Sequence, residues 1–236
     1  MPDVVYLFGT NAAAHAHNKA VYRNFEKIAD LPRLHFLART DNPLHNKTGS
    51  DKAGGLMPEL TLIVGARVML TANVNVANNL VNGSIGVVTG FGPCDESGMP
   101  TVVMVKFDGY RGPLQKDAHG CVGIVPVKRT WTCGKFTITR TMIPLRLAWG
   151  ITVHKSQGLT LPCVVVDLKS FKISKLRLAF VAFSRVKKFR NLYYMAGELG
   201  VQQWMRQALL EKGAKRFAKN IGIEEDRIRL LGLQQP

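Results

Sequence analysis

An α/β layer interrupted by a small β-barrel is the fold class the sequence predicts, and three observations carry it. The first 59 residues pair a short apolar run with an alanine-rich, helix-like stretch, the pattern of a sheet covered by helices. From Leu60 to Ile143 only short apolar runs recur, separated by Gly, Asn, Pro and Asp, the pattern of a small barrel. After Gly158 strand-like and helix-like segments alternate again, so the barrel is an insertion in the layer.

Each element follows from its residues. Val4 to Gly9 is β-branched and aromatic and predicts a strand. Thr10 and Asn11 are good helix caps before a helix that ends near Leu31, with Val21, Phe25 and Ile28 as its inward stripe and Asn18 and Lys19 off it. Leu34 to Arg39 predicts a second strand. Thr40 to Pro58 is rich in Asn, Asp, Gly, Lys and Ser without apolar periodicity, which predicts a long loop at a junction between domains. Strands are then expected at Leu60 to Val64, Ala66 to Thr71, Ser84 to Phe91, Thr101 to Phe107, Cys121 to Val127 and Lys135 to Ile143. Val81-Asn82-Gly83-Ser84, Gly92-Pro93 and Asp108-Gly109 supply the turns.

Pro144 to Gly158, P-L-R-L-A-W-G-I-T-V-H-K-S-Q-G, begins apolar and becomes abruptly polar over its last five residues. Pro144 suits a first helical turn, Leu145, Ala148, Trp149 and Thr152 recur at helical spacing, and Gly158 suits a left-handed cap. The segment predicts a helix with His154, Lys155, Ser156 and Gln157 at its exposed end. Beyond it come a buried strand at Val164 to Leu168, a helix at Lys175 to Val186 burying Leu176, Ala179, Phe180 and Phe183, a strand at Leu192 to Met195, and a terminal amphipathic helix at Gln202 to Asn220.

Of 236 residues, 46% are hydrophobic and 20% charged, an ordinary globular composition. No apolar run approaches a membrane span and residues 1 to 30 lack a signal-peptide pattern; the expectation is an intracellular protein without a membrane partner, nuclear or mitochondrial if eukaryotic. The net charge is +16, and +13 of it lies between Val127 and Arg190, where fourteen Lys or Arg face a single acid, Asp167. Such a block is either a solvated face or a surface for a polyanion, for which nucleic acid is the economical choice. Cys94, Cys121, Cys133 and Cys163 have no C-x-x-C spacing, which argues against zinc.

Four ordered motifs resemble the C-terminal half of the Pif and RecD group of superfamily 1B DNA helicases. They are L-T-L-I-V-G-A-R-V-M-L-T-A-N at 60 to 73, N-G-S-I-G-V-V at 82 to 88, P-L-R-L-A-W-G-I-T-V-H-K-S-Q-G-L-T-L at 144 to 161, and F-V-A-F-S-R-V at 180 to 186. The resemblance implies a RecA-like, doubly wound α/β lobe formed by residues 1–59 and 144–236, with a Src-homology-3-like β-barrel inserted at 60–143. It implies ATP hydrolysis between two lobes and movement along single-stranded DNA from 5′ to 3′. Y-L-F-G-T-N with Asn18 looks like motif IV, His154 to Thr160 like motif V, and Ser184-Arg185 like motif VI.

On that resemblance Arg185 is the arginine finger, since a guanidinium at the γ-phosphate stabilises transition-state charge; its spacing alone fits an ordinary arginine on an exposed helix face. Asn11, Gln157, Gly158 and Thr160 are implied at the nucleotide, and His154, Lys155 and Ser156 on the DNA track. His154 and Lys155 equally suit a helix C-terminus. In the barrel Arg67, Asn73, Asn82 and Lys106 are candidates for DNA contact or for turn chemistry and solubility. Trp131 and Trp149 could stack on bases, although Trp149 suits a core. The pattern departs from the family's usual G-Q-x-Y-V-A-L-S-R run, with Arg177 and Phe180 in place of Gln and Tyr, and Gly150 stands where Ala is usual.

No G-x-x-x-x-G-K-[ST] loop and no strand ending in paired acids occurs. Family members carry these in an N-terminal lobe, which would bind most of the ATP and Mg²⁺ and would join this chain in cis or in trans. The chain alone is therefore expected not to hydrolyse ATP. The alternative is a non-enzymatic nucleic-acid-binding remnant of a transposon-borne helicase.

Overall fold

The computed structural model describes residues 4–28, 30–110, 112, 120–171 and 176–195. It divides into two compact units, Met1–Ala16 with Gly150–Pro236, and His17–Trp149. In order, the elements are β1 (Val4–Phe8), α1 (Asn11–Ile28), β2 (Arg33–Leu37), β3 (Arg39–Thr40), β4 (Glu59–Ile63), β5 (Arg67–Leu70), β6 (Ile85–Phe91) and β7 (Val103–Phe107). They continue with β8 (Val122–Ile124), β9 (Val127–Cys133), β10 (Phe136–Met142), β11 (Leu145–Leu147), β12 (Gly150–Thr152), β13 (Cys163–Asp167), α2 (Leu176–Phe183) and β14 (Leu192–Met195). The expected helix at Gln202 to Asn220 lies outside the described residues, as do the side chains of Ile28 and Leu176.

In the first unit a parallel sheet runs in the order β12, β1, β13, β14, so the mixed α/β class with a parallel sheet holds. Val5 and Leu7 of β1 and Val164 and Val166 of β13 are buried, while Val165 between them is only half-buried. Burial thus alternates along β13 more than its unbroken apolar sequence suggests. Ala179 and Ala182 make the buried side of α2; Phe180 and Phe183, expected there, are half-buried and meet edge to face at 6.5 Å.

Gly9 follows β1 because nothing larger fits. Its N–H donates to Ser170 Oγ at 2.8 Å, and a Cβ there would lie 2.6 Å from the Ser170 carbonyl oxygen and 3.0 Å from Phe171 Cα. Backbone cannot yield as a flexible side chain can. Gly9→Ala should therefore destabilise the chain by about 1–3 kcal/mol, read as a lower urea midpoint. Gly49→Ala, where a Cβ would meet nothing within 4 Å, is the control and should leave the midpoint in place.

The second unit is antiparallel. β11, β5, β6, β7 and β8 form one sheet, β3, β10 and β9 a second, and β2 pairs with β4. Leu62, Val68, Val103, Ile124 and Met142 are fully buried in a common core. The sequence predicts no strand at β9, because V-K-R-T-W-T-C has no apolar run; its pairing with β10 from Val127 to Cys133 holds it as a strand. On α1 the buried positions are Ala14 and Asn18. Asn18 therefore belongs to the inward stripe, where its Nδ2 donates to the Leu147 carbonyl at 3.2 Å.

The long loop after β3 lies inside this unit and is ordered around Arg140. Arg140, on β10, is 0% exposed. Its Nη1 donates to the carbonyls of Thr48 and Leu56 at 2.9 and 3.0 Å, and its Nη2 to those of His45 and Asn46 at 2.9 and 3.2 Å. Its guanidinium also lies 5.3 Å from the centre of the Trp131 ring, within cation–π range. The Asp41 carboxylate accepts from the Thr139 N–H at 2.9 and 3.0 Å, tying the loop's start to the same strand.

Pro144 to Gly158 is not a helix. It forms β11, antiparallel to β5, then β12, parallel to β1, and then a 3-10 turn at Val153–Ser156. Strand partners far away in sequence outweigh the local helical spacing. Gly158 does adopt the expected left-handed backbone, with φ +81°.

Candidate functional site

β1 and β12 lie side by side with Phe8 opposite Thr152, so the segments that follow them leave from the same carboxyl edge of the parallel sheet. Ligands of open α/β sheets bind outside such edges. After β1, Thr10 caps α1 by accepting the Ala13 N–H on Oγ1 at 3.2 Å. Asn11, the first residue of α1, is left exposed.

After β12 the 3-10 turn sorts the motif V-like residues by exposure. His154 is exposed and Lys155 half-buried. Ser156 is 0% exposed and its Oγ donates to the Val153 carbonyl at 2.8 Å. The expectation that Ser156 meets phosphate is corrected: as the last residue of a 3-10 turn its side chain folds inward instead of ending an exposed helix. Gln157, Gly158 and Thr160 are exposed, and a side chain at Gly158 would meet nothing within 4 Å, leaving the backbone there open to close approach.

Arg185 stands just past α2 and comes back onto this turn. Its Nε donates to the Val181 carbonyl at 2.9 Å, its Nη1 to the carbonyls of Ser156 and Leu159 at 3.4 and 3.5 Å, and its Nη2 to Ser184 Oγ at 2.7 Å. Its own carbonyl accepts the Leu161 N–H at 2.8 Å, and Leu161 bridges Val186 in parallel. The motif V-like and motif VI-like segments are thus one structural cluster. In sequence Ser184 is only part of a motif; its direct bond to the guanidinium has no signature in spacing.

In the second unit Arg67 is 2% exposed and its Nη2 donates to Asp108 Oδ2 at 2.7 Å. This corrects its expected place as a surface DNA contact: Arg67 is a buried cation neutralised by an acid that reads, in sequence, as half of an Asp-Gly turn. Asn73 and Asn82 are exposed and adjacent, the Asn73 Oδ1 accepting the Asn82 N–H at 2.8 Å, and Lys106 is exposed on β7. Trp149 packs against Phe25 with ring centres 5.2 Å apart and lies against the core. Part of the basic block lies off the surface. Arg140 is enclosed, burial pushes the Arg146 guanidinium down in pKa against the raising effect of Asp51, and the remaining cations are split between the units.

Among the described residues no group of three or more His, Cys, Asp or Glu could hold a metal, and no helix is long and apolar enough to cross a membrane. No protein-family model matches the chain. The ATP-dependent DNA helicase PIF1 of Danio rerio is 36% identical over 155 residues, covering 64% of this chain and 21% of that protein. Its Homo sapiens counterpart is 32% identical over 191 residues, covering 79% of this chain and 27% of that protein. The chain is Pif1-like.

Solved structures share the fold. The Pif1 helicase from Candida albicans aligns with 93% of this chain and 50% of its own, at a TM-score of 0.63 and 24% identity. Bacteroides Pif1 bound to single-stranded DNA aligns with 92% of this chain and 45% of its own, at a TM-score of 0.57 and 20% identity. The Pif1-like chain thus spans between a fifth and three tenths of these two curated relatives' length.

Proposed function

We propose that this chain forms the C-terminal part of an ATP-dependent DNA helicase that moves 5′ to 3′ on single-stranded DNA. The carrying observation is the meeting of Arg185 with the 154–160 turn, which puts a guanidinium against the segment whose exposed residues face solvent. In this reading the RecA-like lobe is built on the first unit, residues 1–16 and 150–236, which is narrower than the 1–59 and 144–236 that the motifs imply. The strands β5, β6, β7 and β8 of the five-stranded antiparallel sheet fall within 60–143 and are the body of a Src-homology-3-like insertion, while the fifth strand, β11, follows that range. The curated relatives are named as ATP-dependent DNA helicases, and the Bacteroides relative's structure contains single-stranded DNA.

His154, Lys155, Asn73 and Asn82 are the proposed DNA contacts, short polar or cationic groups suited to phosphate and sugar. Asn11, Gln157, Gly158 and Thr160 border the proposed nucleotide side. The open space at Gly158 fits a phosphate-bearing ligand there. Bound ATP with Mg²⁺ would supply the phosphoryl group and its charge. A phosphate-loop lobe, in cis or in trans, would hold most of both. Arg185 would supply positive charge, and the turn would transmit its position to the DNA contacts.

ATP turnover with single-stranded DNA present is the test. The chain alone should stay at background, and activity should appear when a Pif1-type phosphate-loop lobe is added. Robust turnover by the chain alone, or none after the lobe is added and shown to bind, would overturn the reading.

A further inference from the structure

Every polar nitrogen of Arg185 rests on a neutral acceptor. Nε and Nη2 make short bonds, to the Val181 carbonyl at 2.9 Å and to Ser184 Oγ at 2.7 Å, whereas Nη1 makes long ones, to the carbonyls of Ser156 and Leu159 at 3.4 and 3.5 Å. Among the described residues no carboxylate pairs with it. A cation held by dipoles alone exchanges them readily for an anion, because charge-assisted bonds to phosphate are about twice as strong as neutral ones.

Ser184 orients this arrangement. Its Oγ donates to the Val181 carbonyl at 2.9 Å, the same oxygen that receives Arg185 Nε, and accepts from Nη2. Its hydroxyl therefore closes a ring of bonds that fixes the plane of the guanidinium and sends Nη1 toward the turn. The Ser156 carbonyl that meets Nη1 also accepts the Leu159 N–H at 3.0 Å. The guanidinium and the turn's own bond thus share one acceptor.

We propose that Ser184 is a positioning residue that holds Arg185 in a retracted seat on the 156–159 turn, so that the guanidinium and the turn respond as one unit. The proposal deepens, and rests on, the assignment of Arg185 to the nucleotide. It predicts that losing the hydroxyl frees both the guanidinium and the turn, while a threonine hydroxyl keeps them.

The test uses the whole chain, ¹⁵N-labelled and without nucleotide, in wild-type, Ser184→Val and Ser184→Thr forms. The Arg185 Nε–H signal is assigned by its loss in Arg185→Lys. Valine and threonine have nearly the same shape, so only the hydroxyl differs. Hydrogen exchange at Arg185 Nε and at the Leu159 amide should rise about tenfold in Ser184→Val, the scale of one lost bond to a charged group, and stay near wild type in Ser184→Thr. Unchanged exchange in a folded Ser184→Val chain overturns the proposal. If that variant fails to fold, Ser184→Ala replaces it with the same criterion, and exchange in Ser184→Thr as fast as in free arginine overturns the proposal on its own. Nucleotide and a second lobe are both absent, so failed ATPase complementation refutes the helicase reading without deciding this one.

Discussion

ATP turnover by a helicase assembled from this chain and a phosphate-loop lobe should fall about a thousandfold when Arg185 is replaced by alanine, with little change in the KM for ATP. Phosphoryl transfer has little covalent chemistry for the protein to perform, and most catalysis is positioning and charge stabilisation. Among the described residues the guanidinium has only neutral partners, so none of their carboxylates competes for it when a phosphate approaches. Arg185→Lys keeps the charge but not the planar fork, and should recover only part of the loss. Steady-state kinetics decide the matter. A fall of less than about tenfold is below what a finger arginine contributes; it would instead favour the non-enzymatic DNA-binding alternative, which does not need Arg185.

Arg140→Met should destabilise the second unit by about 3–5 kcal/mol. The guanidinium is the shared donor for four carbonyls of residues 45–56, and methionine of similar length supplies no donor. Leu56, at the end of that loop, is fully buried, so the loop cannot let its carbonyls reach water without exposing apolar surface. Burial lowers the Arg140 pKa, but an arginine in a protein stays charged at neutral pH. Urea unfolding followed by tryptophan fluorescence measures the effect, because Trp131 lies against the guanidinium. A loss below about 1 kcal/mol would mean that the loop is held by its other contacts.

Several parts of this protein are legible without coordinates. The strand at Leu192 to Met195 and the start of α1 after Thr10 fall where composition places them. The Asn82-Gly83 turn is real, with Gly83 at φ +99°. The 154–160 turn and Arg185 stand out by motif alone, and the structure joins them. Their geometry does not stand out: the sequence predicts Ser156 outside and it is inside, and the Ser184 bond to the guanidinium has no signature in spacing. Spacing along a chain gives the face of an element only when the element type is right.

The Pro144 to Gly158 stretch shows how that condition fails. Leu145, Ala148, Trp149 and Thr152 match a helical period, yet Gly150 and the β-branched run Ile151-Thr152-Val153 are poor helix formers. They were the local signal for β12. What decided between the two was pairing with β5 and with β1, the latter more than a hundred residues away, which no window of neighbours contains.

The sequence by itself determined the α/β class, most of the strands, the motif order and the polar character of the segment ending at Gly158. These depend on properties local to a few residues: β-branching, alternation, caps and turn formers. Only the tertiary structure decided that Arg67 neutralises Asp108, that Arg140 gathers a loop rather than facing a polyanion, and that Arg185 rests on the turn at 156–159. Charge in a sequence carries no direction, and whether a cation faces solvent, an acid or a set of carbonyls is fixed by which distant backbone the fold brings to it.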